Sequence, residues 1–185
     1  MIESHNRLKG QQVRLGALLE EDIKTILGWY CDTRFLDLWD SDPLVDRTES
    51  AVSDWMDELD GDRSQVVFGL RRLGNDKLVG MAHLDDIEWS NRVADIGVAI
   101  GNPTHWGKGW GTEATRLLVN YGFTELNLYR LQLSVMAYNT RAIGLYEKIG
   151  FKHEGTWREF GERNEKRYHM HLYGLLRHEW DNKEG

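Results

Sequence analysis

The apolar positions of this chain change their spacing several times, and each change marks an element. QQVRLGAL (residues 11–18) reads as a first strand. In LEEDIKTILGWY (residues 19–30), Leu19, Ile23, Ile26, Leu27 and Tyr30 share one helical face, with acids early, where the helix dipole favours them. Val52, Trp55, Met56 and Leu59 recur at helical spacing and predict a second helix from Asp46 to Leu59. From Gln65 the period changes. QVVFGLRR, KLVGMAHLDDIEW and RVADIGVAIG are short β-branched segments, separated by turn chemistry at residues 74–76 and 90–91. They predict a meander of three antiparallel strands. Helical spacing returns over residues 109–125, with Ala114, Leu117, Leu118 and Tyr121 on one face. RLQLSVMA (residues 130–137) is a strand. NTRAIGLYEKIG (residues 139–150) is a helix with Asn139 as N-cap and Gly150 as stop. FKHEGTWREF and EKRYHMHLYGLL close the chain as two strands around the turn GERN.

The predicted order is therefore β-α-α-β-β-β-α-β-α-β-β. That is an α/β (α+β) fold with a mixed, mostly antiparallel central sheet of about seven strands flanked by about four helices. The length of 185 residues suits a single domain over residues 1–185, with no repeat or low-complexity segment.

Composition narrows the function classes. The formal net charge is −7 and the pI about 5.5, so the surface repels phosphate backbones and nucleic acid is a poor partner. A cationic or amine substrate is electrostatically easier, although mild acidity also serves solubility alone. The single cysteine, Cys31, forbids an internal disulfide and fits a reducing, cytoplasmic setting. MIESHNRLKG has no apolar run after its charges, and no stretch approaches ~18 consecutive apolar residues, so neither a signal peptide nor a membrane span is expected.

HWGKGWGTEA (residues 105–114) is where candidate chemistry begins. Gly107, Gly109 and Gly111 lead into a helix whose first turn has unpaired N–H groups and partial positive charge, and Lys108 adds a cation. An anionic ligand, phosphate or pyrophosphate, fits this; so does a tight strand-to-helix connection with no ligand. A P-loop is excluded, because Gly107-Lys108 is followed by Gly109 rather than Ser or Thr, and Asn102 stands where the first glycine belongs. A dinucleotide fingerprint fails as well. The third glycine comes too early, and the strand ahead belongs to an antiparallel meander.

Two blocks resemble the GCN5-related N-acetyltransferase (GNAT) family. Trp106-Gly107-Lys108-Gly109-Trp110-Gly111 is similar to its Gln/Arg-x-x-Gly-x-Gly/Ala loop at both glycines, and departs at Trp106. Asn139-Thr-Arg-Ala142-Ile-Gly-Leu145-Tyr146-Glu-Lys148-Ile-Gly150-Phe151 resembles its N-x-x-A-x-x-L-Y-x-K-x-G-F signature at every fixed position. Tyr121-Gly122-Phe123, Leu126-Asn127-Leu128 and the last hairpin look most like the branch of ribosomal-protein N-terminal alanine and serine acetyltransferases and spermidine N-acetyltransferase.

The resemblance implies acetyl transfer from acetyl-CoA to a primary amine, a protein N-terminus or a polyamine-like small amine, by direct attack in a ternary complex. Trp106, Gly107, Lys108, Gly109, Trp110, Gly111 and Thr112 would take the pyrophosphate through backbone N–H groups. The strand end Ala99-Ile100-Gly101 would pair with the pantetheine arm and polarise the thioester carbonyl. Asn139 would hydrogen-bond the cofactor arm. Tyr146 would protonate the leaving thiolate; its periodicity, shared with Ala142, Leu145 and Ile149, equally suits a core tyrosine.

Asp95 and Glu88 are candidate amine-side carboxylates, with Asp95 preferred. His153, His169 and His171 lack a carboxylate or cysteine to complete a metal site, so none is expected. Trp39, Trp55 and Trp89 are candidates for the acceptor site, the core or a dimer contact. The acid-rich segment carrying Asp37, Asp40, Asp42, Asp46, Glu49, Asp54, Asp57 and Glu58 either draws a cationic amine or is a solvated face. Such families commonly form a homodimer or larger homo-oligomer. A non-catalytic acyl-CoA sensor or scaffold of the same fold is the alternative, and a phosphohydrolase is disfavoured by the failed P-loop.

Overall fold

The computed structural model describes residues 8–39 and 48–184. Strand β1 (Val13–Gly16) leads through a 3-10 turn (Glu20–Asp22) into helices α1 (Ile23–Tyr30), α2 (Thr33–Trp39) and α3 (Glu49–Glu58). The meander follows as β2 (Val66–Arg72), β3 (Leu78–Glu88) and β4 (Val93–Ile100). A 3-10 turn (Pro103–His105) connects to α4 (Trp110–Thr124), β5 (Arg130–Met136) and α5 (Thr140–Ile149). Strands β6 (Lys152–Arg163) and β7 (Lys166–Leu176) precede α6 (Arg177–Glu184).

The seven strands form one sheet in the order β1-β2-β3-β4-β5-β7-β6. Every neighbouring pair is antiparallel except β4 and β5. The fold class and strand number agree with the sequence reading. The described residues hold six helices rather than about four, because α2 and α6 carry no long apolar stripe. The predicted start of α3 at Asp46 lies outside the described residues; within them Thr48 caps the helix by accepting from the Ala51 N–H at 3.1 Å. In α1 the buried stripe is Ile23, Ile26 and Trp29, while Leu19 is 44% exposed. The inward face is therefore rotated from the one predicted, toward Trp29 rather than Tyr30.

Strand alternation assigns the two faces of the sheet. Ala82, Leu84, Ala94 and Ile96 point to one side, where they are buried with Ala114, Leu118 and Phe123 of α4 and with Tyr146 and Ile149 of α5. Met81 and Ala99 point to the other side, into a second cluster with Ile26, Trp29, Phe35 and Val52 of α1–α3. A buried ion pair, Arg71 to Asp22 at 2.5 Å, ties this helical cover to β2. Arg71 also donates to the Ala17 carbonyl, and Asp22 accepts from the Leu19 N–H. The charges are thus paired and further satisfied where water is excluded.

Candidate active site

Gly107 and Gly109 both take positive φ, 76° and 85°, which an L side chain adopts only at a cost. This turns the chain sharply into α4. The first in-helix bond there runs from the Glu113 N–H to the Gly109 carbonyl, 3.0 Å, so the N–H groups of Trp110, Gly111 and Thr112 have no partner inside the helix. They open onto a cavity of about 400 Å³ lined by residues 105–112, the end of β4, Asn139 and one face of α5. The cavity, the positive end of α4 and the missing Cβ atoms together fit a diphosphate. Asn139 caps α5 through its carbonyl oxygen, which accepts from the Ala142 N–H at 3.2 Å. Asn139 also lines the cavity.

Trp106, the departure from the family loop, is firmly held. Its indole N–H donates to the Ile100 carbonyl at 2.8 Å, and the Arg141 guanidinium lies 4.5 Å from its ring centroid. Lys108 stands similarly over Trp110, 5.4 Å from the centroid. Each tryptophan of the loop therefore carries a cation.

The parallel pairing of β4 with β5 covers only Val93–Asp95 against Arg130–Gln132. Past that point the two strands part, and a cavity takes its walls from both, Ile96 to Val98 of β4 and Leu133 to Met136 of β5. Which β4 groups face the gap follows from the ladder on the other edge. Met81 pairs with Ala99, and the Gly101 N–H donates to the Val79 carbonyl at 3.0 Å. Ala99 and Gly101 thus turn their N–H groups to β3, and Val98 and Ile100 turn theirs to the gap. Of the strand end Ala99-Ile100-Gly101 expected to pair with a ligand, the ladder turns the Ile100 N–H to the gap. Gly101 has another reason to be glycine, since an added Cβ would run into the Trp29 ring.

A second cavity, about 520 Å³, opens on the α1–α3 face of the sheet. Trp39, Trp55, His83, Asp85, Asp95 and Tyr146 are among its walls. It shares Leu38, Trp39, Val98, Asn139 and Ala142 with the first, so the two chambers meet at the gap. Tyr146 joins the wall of the second chamber from the α5 side of the sheet. It is buried, packs edge-on against Phe151 at 5.7 Å, and burial pushes its hydroxyl up to about 12. Asp95 sits directly across from Asp85 in the β3–β4 ladder. Burial, and then the neighbouring acids, raise Asp95 above the usual carboxylate range against a hydrogen bond from Gln132. Burial likewise raises Asp85. His83 lies over Gly97, and burial lowers it to about 4, so it is neutral at pH 7.

His83 and Asp85 escaped the sequence reading. Their signal was alternation: Met81, His83 and Asp85 are spaced by two, and a polar pair continuing a buried face marks a cleft. Glu88, by contrast, is exposed at the β3–β4 turn and accepts from the Asn91 amide at 2.6 Å. Trp89 is away from both chambers, donating to the Arg63 carbonyl at 2.8 Å. The Thr156 hydroxyl lies between His153 and His171, and His169 accepts from the Glu159 N–H. Among the described residues no three His, Cys, Asp or Glu side chains gather as metal ligands. Of the acid-rich segment, Asp54, Asp57 and Glu58 form a solvated face of α3, Asp37 lines the second chamber, and Asp40, Asp42 and Asp46 lie outside the described residues.

A glycine loop at a helix N-terminus, two adjoining chambers where parallel strands part, and a buried tyrosine in the wall of the second fit a two-substrate group-transfer enzyme. Residues 12–152 match the family model for the acetyltransferase (GNAT) domain. The spermidine N(1)-acetyltransferase of Escherichia coli K12 is 34% identical over 143 residues, 77% of this chain and 74% of that protein. The putative ribosomal N-acetyltransferase YdaF of Bacillus subtilis is 32% identical over 136 residues, 74% of this chain and 72% of that protein. The crystal structure of spermidine N-acetyltransferase from Vibrio cholerae in complex with CoA and spermine superposes with a TM-score of 0.85, covering 94% of this chain and all of that one. At 24% identity that match speaks for the fold. The chain belongs to the GNAT acetyltransferases. It is an N-acetyltransferase that moves an acetyl group from acetyl-CoA to an amine.

Proposed function

We propose that this enzyme acetylates a polyamine-like small amine, with the loop chamber holding acetyl-CoA and the second chamber holding the acceptor. The observation that carries the acceptor class is the Asp85–Asp95 pair, two half-buried carboxylates opposite one another in the second chamber. Their mutual repulsion is relieved by a bound cation. The relatives named for spermidine support this reading, and the relative named for ribosomal acetylation keeps a peptide N-terminus as the competing acceptor.

Acetyl-CoA supplies an acetyl thioester, which a neutral amine attacks directly in a ternary complex. Trp110, Gly111 and Thr112 hold the diphosphate through their N–H groups, with Gly107 and Gly109 shaping the turn. The N–H groups of Val98 and Ile100 bind the pantetheine arm and polarise the carbonyl; the Asn139 amide steadies the same arm. Asp95, made more basic by burial, takes the proton of the attacking amine, directly or through water. Tyr146 gives its proton to the departing thiolate, and its place in the wall of the second chamber suits that role.

We place residues 1–185 in one working domain in the cytoplasm. We also propose that the chain self-associates, since the exposed Trp157 and Phe160 pack on each other on the edge strand β6, 5.0 Å between centroids. Sedimentation reads the assembly mass directly.

Free-thiol release from acetyl-CoA with a panel of diamines, polyamines and peptides tests the acceptor. Turnover is expected to be highest with a polyamine, at least tenfold above a mono-amine of equal length, and to fall for D85N. Equal rates for the mono-amine overturn the polyamine reading. Thiol release with peptides alone assigns the enzyme to N-terminal acetylation, and no release with any amine favours an acyl-CoA-binding protein.

A further inference from the structure

The family loop begins with Gln or Arg, and here that position is Trp106. A tryptophan offers no group that pairs with a phosphate in its place. Its one N–H already donates to the Ile100 carbonyl. What it does offer is a flat, immobilised face, and the Arg141 guanidinium rests on that face at 4.5 Å. Arg141 comes from the first turn of α5, is exposed, lines the loop chamber, and among the described residues has no carboxylate partner. A free arginine samples many rotamers; one stacked on an indole is pre-oriented, with its N–H fork open at the edge.

We propose that Arg141 is the cation this chain sets on the diphosphate of the coenzyme, and that Trp106 is the positioning residue that holds it there. The polar side chain missing from the start of the loop is thus supplied from α5, across the chamber. The geometry gives each residue a reason: Ile100 fixes the indole, the indole fixes the guanidinium, and the guanidinium faces the chamber into which the α4 N-terminus opens. This inference rests on the loop chamber being the coenzyme site.

Calorimetric titration of the full chain with CoA and with 3′-dephospho-CoA, at several salt concentrations, tests it. R141A is expected to weaken CoA at least about tenfold, the size of a charge-assisted hydrogen bond, and to flatten the salt dependence of binding. The loss should be equal with 3′-dephospho-CoA, because the diphosphate remains. W106L should weaken CoA several-fold, and W106L/R141A should bind no worse than R141A alone. W106F, which keeps a ring face, should fall between wild type and W106L, and serves if W106L does not fold. Unchanged affinity in R141A overturns the proposal. So do losses that multiply in the double variant, or a loss that vanishes with 3′-dephospho-CoA. If the unmodified enzyme binds no CoA, the coenzyme site itself is misplaced, an outcome distinct from these.

Discussion

Tyr146 belongs to the core and, in the proposed mechanism, to the chemistry as well. Its ring is part of the cluster under α5, and the residue also lines the second chamber. Burial that raises a phenol to about 12 keeps it a proton donor throughout the neutral range. Tyr146→Phe is expected to lower kcat at least about tenfold with little change in acetyl-CoA affinity. Stopped or steady-state thiol release checks this, and unchanged turnover removes Tyr146 from the mechanism. The pH profile separates it from Asp95. A carboxyl raised by burial holds its proton longer, so kcat/KM should climb as pH rises through a value above the ordinary carboxylate range. That limb should disappear in D95N and persist in Y146F. Trp106 shows how a residue defeats sequence reading. As a letter it is a mismatch to a loop motif; its partners, the Ile100 carbonyl and Arg141, are six and 35 positions away, and only the folded chain brings them together.

At the scale of elements, α4 depends on how it begins. Gly109 precedes its first residue at φ 85°, and the N–H groups proposed to face the cofactor follow immediately. Gly109→Ala is expected to cost about 1–3 kcal/mol of strain and to raise the Kd for CoA by roughly tenfold as those N–H groups shift. Gly28→Ala is the control. It lies within α1 with open space around it, and should hold or raise stability by up to about 1 kcal/mol. Thermal unfolding and CoA titration of both variants make the comparison. The elements legible in the sequence were those with sustained periodicity or clear punctuation, namely the meander, α4 and α5. Helix α2 was missed because seven residues are too few to declare a stripe. Helix α6 was missed because RHEWDNKE, mostly charged, shows its buried anchor, Trp180, only against the folded sheet. The loop chamber was legible through its motif. The acceptor chamber was not, since His83 and Asp85 gain meaning only once β3 is known to turn that face to the gap.

For the molecule as a whole, the cover formed by α1–α3 must stay docked for the second chamber to exist. The Arg71–Asp22 pair is its polar fastening, with both side chains almost fully buried. Arg71→Ala is expected to destabilise the protein by about 3–5 kcal/mol, because it leaves a carboxylate buried without its partner. Replacing both charges with apolar residues (R71M/D22L) should recover much of that loss. Urea unfolding followed by tryptophan fluorescence reads both variants.

The parting of β4 and β5 has one more consequence. A sheet is ordinarily strongest where its backbone ladder is continuous, yet here the ladder between its two halves ends after three residue pairs. The donors of Val98 and Ile100 are left to be matched by something that is not protein. If the coenzyme lies as proposed, its amide-bearing arm is a temporary eighth strand along β4, and each catalytic turnover closes and reopens that seam.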